Sequence, residues 1–575
     1  LINGIYEKNI NYLAQVNPSL RNRLLTIKNS SAKLVRGEGG KRTISVGRGG
    51  EIFIHSTKDP KEEAKAFCEE VFKEDSHIVL LFGLGLGYEL RELQKKDPRK
   101  VYFVVEPDLE VFNCSLMAND IRPIMEEVNL FVGNNEKQII EALNYIINTH
   151  KSIKVKLAVL PAYEIMYKEL WEKVLEGLKK ILNEYYVAIN TSNSHHKEWV
   201  RNYVMNLKYM DNMRPLESLR PYFKDRPAIV VAAGPSLEEN LETLKKVGDK
   251  ALVVGVGSGV SILESHGIKA HILGSMDGSK LQEKIFMDLK YNKDSMLLYS
   301  IQGYYKVPSH VSGRKFLMNQ TAMDRYLHKQ LGWKYFNKYS APSISNVITY
   351  NLSQLGCNPI IILGQDMCYS KNKSYAKGAT YFGEFKEEDL ENNPNYIKTL
   401  NNRGEQVYTT GGLLSFKYAT EDIIRAHTGT TYLNGANQGL KIEGAENIDF
   451  NQYYEEKLSL NEDIDLPESF KENNEKVELI KKQIYEENQK VIHSCEEIVK
   501  VIEQKDKDLI SIIKEKEEIL STIPLYNEVL KDLLYFIEYL LPKEYIGNIL
   551  NKYLYILDKC YIMDKAFSGE ELIKE

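Results

Sequence analysis

Four short stretches of small and polar residues could grip a nucleotide or a sugar: Gly234-Pro235-Ser236-Leu237, Gly257-Ser258-Gly259, Asp277-Gly278 and Gly364-Gln365-Asp366. Each follows an apolar run of strand type, at residues 228–233, 251–256, 271–276 and 359–363. Ligands of open parallel sheets bind at the carboxyl ends of the strands, which is where these stretches fall. Glycine lets a phosphate or ribose approach the backbone, and a helix start adds partial positive charge. Ser236 could donate to a phosphate oxygen, or it could simply N-cap the helix that follows. The loop Gly255 to Gly259, with Ser258, reads either as a close approach to a ligand or as a tight turn. Asp277 and Asp366 each end a strand, where a carboxylate can take a proton, hold a sugar hydroxyl or meet a metal. No DxD pair accompanies them, so no metal site is assigned and metal dependence stays open.

A second glycine cluster lies upstream. Residues 77–82 read as a buried strand running into Gly83-Leu84-Gly85-Leu86-Gly87-Tyr88, then a helix, then a strand at 101–105 ending in Glu106-Pro107-Asp108. An acid about twenty residues past the glycines is the layout of a nucleotide-binding crossover. The full GxGxxG pattern is absent, and a tight turn that binds nothing is an equal reading. His195 and His196 are adjacent and diverge on a helix, so they do not share a ligand. His427 stands alone and reads as structural.

The elements that position these residues alternate strand and helix from about 216 to 455, which indicates a doubly wound parallel sheet. Before it lie a hairpin-like segment at 34–46, a strand at 52–55, further strands near 130–132 and 155–159, and a long helical stretch from about 163 to 210. Trp171 and Trp199 are the expected packing anchors of that stretch. After it, Val477, Ile484, Val491 and Ile498 recur every seven residues and the stripe continues to Ile513, with Pro524 as a breaker. The predicted fold class is α/β: a central Rossmann-like doubly wound parallel sheet, a second α/β domain before it and an all-helical C-terminal domain. The expected domains are 1–215, 216–455 and 456–575.

The chain has 575 residues, 43% hydrophobic and 27% charged, with a net charge of −5. That length calls for several domains, and the charge does not suit a nucleic-acid binder. Six scattered cysteines without CxxC spacing argue against a zinc ribbon or a disulfide framework and fit a reducing compartment. No apolar run is long enough to span a bilayer, and the first residues lack a signal-peptide shape. A cytoplasmic protein is expected. The start at Leu1 instead of Met suggests a trimmed or incomplete beginning.

Ala232-Ala233-Gly234-Pro235-Ser236-Leu237 resembles two related groups, the motility-associated-factor (Maf) flagellin glycosyltransferases and the bacterial sialyltransferases that use CMP-sialic acid. The Maf resemblance covers most of the chain. It includes the Gly83–Tyr88 cluster with Glu106-Pro107-Asp108, then Asp277, Pro342-Ser343-Ile344-Ser345, Gly364-Gln365-Asp366 and the stretch 439–444. The resemblance implies transfer of a nonulosonic acid, of pseudaminic or legionaminic type, from its CMP-activated donor to Ser or Thr of flagellin. Gly234, Pro235, Ser236, Leu237, Gly257 and Ser258 would hold the nucleotide, with Ser343 and Ser345 lining its pocket. The donor is then a co-substrate, flagellin the partner, and no resident cofactor is implied.

One departure concerns the base. The sialyltransferases carry a His in a Thr-His-Ser-type stretch, whereas the local match here, Val407-Tyr408-Thr409-Thr410-Gly411, has none. Tyr375 also stands where a His is common in Maf proteins. Asp277 and Asp366 become the candidate catalytic acids, with Tyr375 as a polar participant. Two alternatives remain: an ATP-dependent pyrophosphokinase acting on a hydroxymethylpterin, which belongs to the same domain family, and a non-catalytic flagellin-binding or export factor.

Overall fold

Gly40, in the left-handed region at φ +73°, turns the chain between two short strands. β1 (Ala32–Arg36) and β2 (Arg42–Gly47) pair antiparallel with Leu34 opposite Ile44, and β3 (Glu51–Phe53) adds to β2. This is the hairpin and extra strand predicted from the sequence. The coordinates are a computed structural model that describes residues 2–47, 50–73, 76–337, 341–381, 383–466, 476–505, 508–537 and 545–569. The chain divides into two compact units, Leu1–Tyr186 and Val187–Glu575.

In the first unit, Ile78-Val79-Leu80-Leu81-Phe82 is apolar at every position and buried at every position. A strand covered by helices on both faces requires that pattern. It forms β4 (Ile78–Phe82), flanked in parallel by β5 (Val101–Glu106) and β7 (Val155–Val159), with β6 (Asn129–Val132) beside β5. Of the crossover helices, Tyr88–Lys96 buries one stripe, whereas Leu109–Ala118 is buried at every position from Val111 to Leu116.

The second unit is built on a parallel sheet that has nine strands among the described residues. In chain order they are β8 (Met213–Pro215), β9 (Ala228–Val231), β10 (Leu252–Val256), β11 (Ile272–Ser275), β12 (Met296–Tyr299), β13 (Lys315–Leu317) and β14 (Ile360–Leu363). A separate antiparallel hairpin, β15 (Tyr396–Leu400) with β16 (Gln406–Thr410), precedes β17 (Tyr432–Asn434) and β18 (Glu446–Asn447). The spatial order is β18-β17-β14-β9-β10-β11-β12-β13-β8. From β9 the chain steps one way through β13, then returns to lay β14 on the other side of β9. The topological switch point therefore lies between β9 and β14.

Alternation along the strands assigns two faces. Ala228, Val230, Leu252, Val254, Ile360 and Ile362 pack with Val347, Ile348 and Leu352 of the helix Ile344–Leu355. Ile229, Val231, Val253, Leu273, Ile361 and Leu363 pack on the opposite face with Val260, Leu263 and Tyr326, and that core continues into Val477, Ile484, Val491, Ile498 and Tyr553. The C-terminal helices thus extend one face of the sheet. Glu487 ties them to it, accepting from the Tyr326 hydroxyl at 3.1 Å and from the Leu525 N–H at 2.8 Å.

The heptad stripe expected to run on to Pro524 is split between the helices Val477–Gln504 and Leu509–Thr522. Lys505, left-handed at φ 51°, ends the first of them. The apolar spacing lapses there, with no apolar residue from Glu503 to Asp508.

Because the core is continuous, Ile484→Ala should lower the melting temperature of sheet and helices together, at a cost of about 2–5 kcal/mol. Calorimetry and far-ultraviolet dichroism check this. Two transitions, of which only one moves, would mean that the helices fold independently.

Candidate functional site

The first glycine cluster is occupied by the protein itself. Three of its glycines are left-handed, at φ +103°, +52° and +72° for Gly83, Gly85 and Gly87. The Gly83 N–H donates to Val105 O at 2.8 Å and the Gly87 N–H to Leu84 O at 2.8 Å. The Leu84 and Gly85 N–H groups both donate to Oε2 of Glu106, at 3.0 and 3.1 Å. The Leu86 N–H donates to His55 Nε2 at 2.7 Å. Tyr163 donates its hydroxyl to the same Glu106 oxygen, and the Asp108 N–H reaches Oε1 at 2.9 Å. The strand-end acid has folded back into the place a phosphate would take. Burial pushes the Glu106 carboxyl up to about 7, against the lowering by Tyr163 and the backbone donors. The glycines serve packing: a Cβ on Gly83 would lie 2.6 Å from the Tyr163 ring, and one on Gly85 2.4 Å from His55 Nε2.

His55, Glu63 and Glu89 place one potential ligand atom each within 4.8 Å of one another. The tautomer decides against a metal. Because Nε2 accepts from Leu86, the proton of a neutral ring is on Nδ1, which faces Glu89 Oε1 at 3.2 Å. No lone pair is left there for an ion.

The second unit brings the predicted nucleotide residues together. Gly234 donates its N–H to Gly364 O at 2.6 Å, which locks the β9 and β14 ends side by side. The Ser236 N–H donates to Asp366 Oδ2 at 2.9 Å, and the Ser236 hydroxyl donates to Oδ1. Both residues are buried, at 0% and 2% exposure. Ser236 is therefore neither a free donor nor an N-cap; it belongs to a seam at the switch point. Pro235 and Leu237 lie buried in the short helix that follows, and the Leu237 N–H closes a turn on Gly234 O at 3.0 Å. Burial raises the Asp366 carboxyl to about 6, opposed by Ser236 and Ser370.

One strand over, Gly257 is left-handed at φ 52° and Ser258 is buried. Among the described residues their N–H groups donate to no protein atom. Gly259 is fixed by sterics, since a Cβ there would lie 2.4 Å from Val231 O. The start of the helix Ile344–Leu355 stands over this loop: a Cβ on Gly257 would reach Ile344 at 3.8 Å. Ser343 caps that helix, accepting from the Ser345 N–H at 3.1 Å, and the two hydroxyls are 2.7 Å apart.

Beside them are residues that sequence reasoning missed. Asn346 spends its amide N–H groups on Phe416 O and Thr420 Oγ1, at 3.0 and 2.8 Å, so its Oδ1 is buried without a donor. Gln365 Oε1 and Ser275 Oγ are buried without partners as well. A buried polar atom left unpaired costs about 1–3 kcal/mol, so such a concentration at the strand ends calls for a polar ligand. The signal in the sequence was slight: amides directly after Ser345 and Gly364, in otherwise apolar surroundings.

The catalytic candidates occupy different surroundings. β14 and β11 are three strand steps apart, roughly 14 Å at normal spacing, so Asp366 and Asp277 do not meet at one reacting atom. Asp277 is exposed and accepts from the Ser279 N–H at 2.8 Å and from Gln282 at 3.4 Å. Burial, then the charges of Asp277 and Tyr375, raise the Tyr381 phenol, whose hydroxyl donates to Leu281 O. The segment carrying Tyr375 crosses the Gly234 loop, with the Ala376 N–H on Ala233 O at 2.7 Å. His427 is structural: Nδ1 lies 2.9 Å from Ile423 O and Nε2 2.7 Å from Gln354.

Two predictions come from this geometry. A Cβ on Gly234 would fall 2.6 Å from both Asp366 Cγ and Gly364 O. Gly234→Ala should therefore lower the melting temperature as well as nucleotide affinity, whereas Gly85→Ala should lower the melting temperature alone; calorimetry and CMP titration separate the two. The second concerns pH. A carboxyl raised from near 4 to about 6, as at Asp366, contributes stability that is full below pH 4 and is lost as pH rises through 6. Between pH 5 and 7.5 the wild type should lose more stability than Asp366→Asn, as read by denaturant titration. Equal losses would remove Asp366 as a titrating group.

Comparisons with known proteins match different parts of the chain. The Glycosyltransferase Maf N-terminal domain family matches residues 52–186. The 6-hydroxymethylpterin diphosphokinase MptE-like family matches residues 201–372. An uncharacterized protein of Treponema pallidum (strain Nichols) is 22% identical over 217 residues, 37% of this chain and 72% of that protein. The fold is similar to that of a Maf glycosyltransferase from Magnetospirillum magneticum AMB-1, with a TM-score of 0.62 and 14% identity over 100% of this chain and 98% of that one. Residues 52–186 thus match the Maf N-terminal domain family, and the chain shares the fold of a Maf glycosyltransferase along its whole length.

Proposed function

We propose that this chain is a protein O-glycosyltransferase that moves a nonulosonic acid from its CMP-activated donor to Ser or Thr of flagellin. The observation that carries this reading is that Gly257 lies against Ile344 at the helix start, while Gln365 and Asn346, which both bond Thr420, leave their side-chain carbonyls unpartnered. Those carbonyls suit the N–H and O–H groups of a base and ribose. The unspent N–H groups of Gly257 and Ser258 suit one phosphate.

The chemistry needs a departing CMP, an oxocarbenium-like sugar and a base for the acceptor hydroxyl. Asp277 is our candidate base, exposed at the β11 end with Tyr375 and Tyr381 close by. Asp366 acts through Ser236, holding the nucleotide loop in place. Cytoplasmic action is part of the proposal; among the described residues, no helix is long and apolar enough to cross a membrane.

The match at residues 201–372 favours a second reading, ATP-dependent pyrophosphate transfer to a hydroxymethylpterin. That reaction would ask the same crevice to hold three phosphates and Mg²⁺. Asp366, engaged by Ser236, is poorly disposed as a metal ligand.

Flagellin co-expressed with this chain and a nonulosonic-acid pathway should gain the mass of the sugar. Asp277→Asn should cut that gain at least about tenfold, on the order of 1.4 kcal/mol in the barrier. Intact-mass spectrometry checks both, alongside titration with CMP and ATP. Unmodified flagellin, together with binding of ATP–Mg²⁺ and none of CMP, would replace this reading with the second one.

A further inference from the structure

A cavity of about 300 Å³ lies beside the β15–β16 hairpin, apart from the crevice just described. Its floor is buried: Ser370, Asn401, Val407, Tyr408 and Gln438 are between 1% and 7% exposed. Tyr369 forms a wall, its ring set edge-on against Phe385 and Tyr396 at 5.3 and 5.2 Å.

Two polar atoms of this lining have no protein partner. Gln438 donates its amide N–H to Glu239, which Arg403 holds at 2.8 Å, so the amide cannot be turned around. Its Oε1 is then buried without a donor, and so is the Tyr408 hydroxyl. In contrast, the Ser370 hydroxyl is committed to Gln438 O at 2.7 Å, and Asn401 to the turn at 403–405. An unfilled acceptor and an unfilled hydroxyl on residues that line one small space are costly unless a ligand supplies the missing bonds.

The rim selects the ligand class. Glu387 and Glu405 stand there against Lys371, with Lys398 beside Tyr408, so the mouth is mixed in charge and lacks the excess of positive charge that a phosphate or a carboxylated sugar would call for. The lining mixes donors and acceptors and adds tyrosine faces. Hydroxyl groups, which both donate and accept, match that mixture. The volume is at the small end of ligand pockets, enough for one ring.

We propose that this cavity binds one neutral monosaccharide unit, at a site separate from the nucleotide crevice. Such a site would let the enzyme engage a sugar already present on its acceptor, or a neutral part of a larger glycan. Its existence does not require the nucleotide reading to be right.

The test uses the full chain and saturation-transfer NMR with glucose and N-acetylglucosamine as probes, with sialic acid as an anionic control. We expect transfer to at least one neutral sugar and none to sialic acid. Gln438→Met removes the unpartnered carbonyl, and Tyr408→Phe removes one oxygen without changing shape. Each should reduce the signal at least about fivefold while CMP affinity stays within about twofold. If Gln438→Met fails to fold, Tyr408→Phe decides alone. No transfer to either neutral sugar, preference for sialic acid, or undiminished transfer in a folded variant would overturn the proposal. Saccharide binding without CMP binding would leave it standing and remove the proposed function.

Discussion

The hydrogen bonds from Ser236 to Asp366 close the switch point of the central sheet, and the arrangement of the candidate site depends on them. β9 and β14 diverge in their connections at this point, which opens a crevice in sheets of this kind. Here the carboxylate from one strand end accepts the N–H and the hydroxyl from the loop of the other. In the proposed reading the seam directs the nucleotide toward the Gly257-Ser258 loop and the helix start at Ser343. It also explains why Gly234 and Gly439 are glycines: a Cβ on either would lie 2.6 Å from an Asp366 atom.

The first unit repeats this device with Glu106, whose buried carboxylate accepts from the Leu84 and Gly85 N–H groups of the Gly83–Gly87 turn. In both places burial works against the ionised acid, and hydrogen bonds from backbone and hydroxyl donors offset the penalty. The outcome differs in consequence. The first loop has its five N–H groups committed, whereas the central domain keeps a neighbouring loop with N–H groups to spare. A glycine-rich turn after a strand is therefore a place where an anion is bound, and the anion can be the protein's own.

Much of the sheet was legible because its strands are buried on both faces. Residues 78–82, 228–231 and 360–363 are apolar throughout and each is followed by a glycine within three residues, so both their type and their carboxyl ends could be read. Shorter strands such as β8 and β13, with three residues each, carry too little pattern. The β15–β16 hairpin was missed because β15 is mostly exposed and does not alternate cleanly. The site was legible at the level of loops and not of bonds. Ser236 and Asp366 are 130 residues apart, and nothing local in the sequence says that they pair. The same holds for Gln438, whose unpartnered carbonyl depends on Glu239 and Arg403 from two other segments.

The central claim is that the nucleotide enters the second unit beside the Ser236–Asp366 seam and leaves the first glycine turn untouched. Hydrogen–deuterium exchange of the full chain, with and without CMP, tests this most directly. The account predicts slower exchange at residues 232–237, 257–259 and 343–347 when CMP is present, with no change at 83–87. Protection at 83–87, or none at the three central segments under saturating CMP, would contradict it.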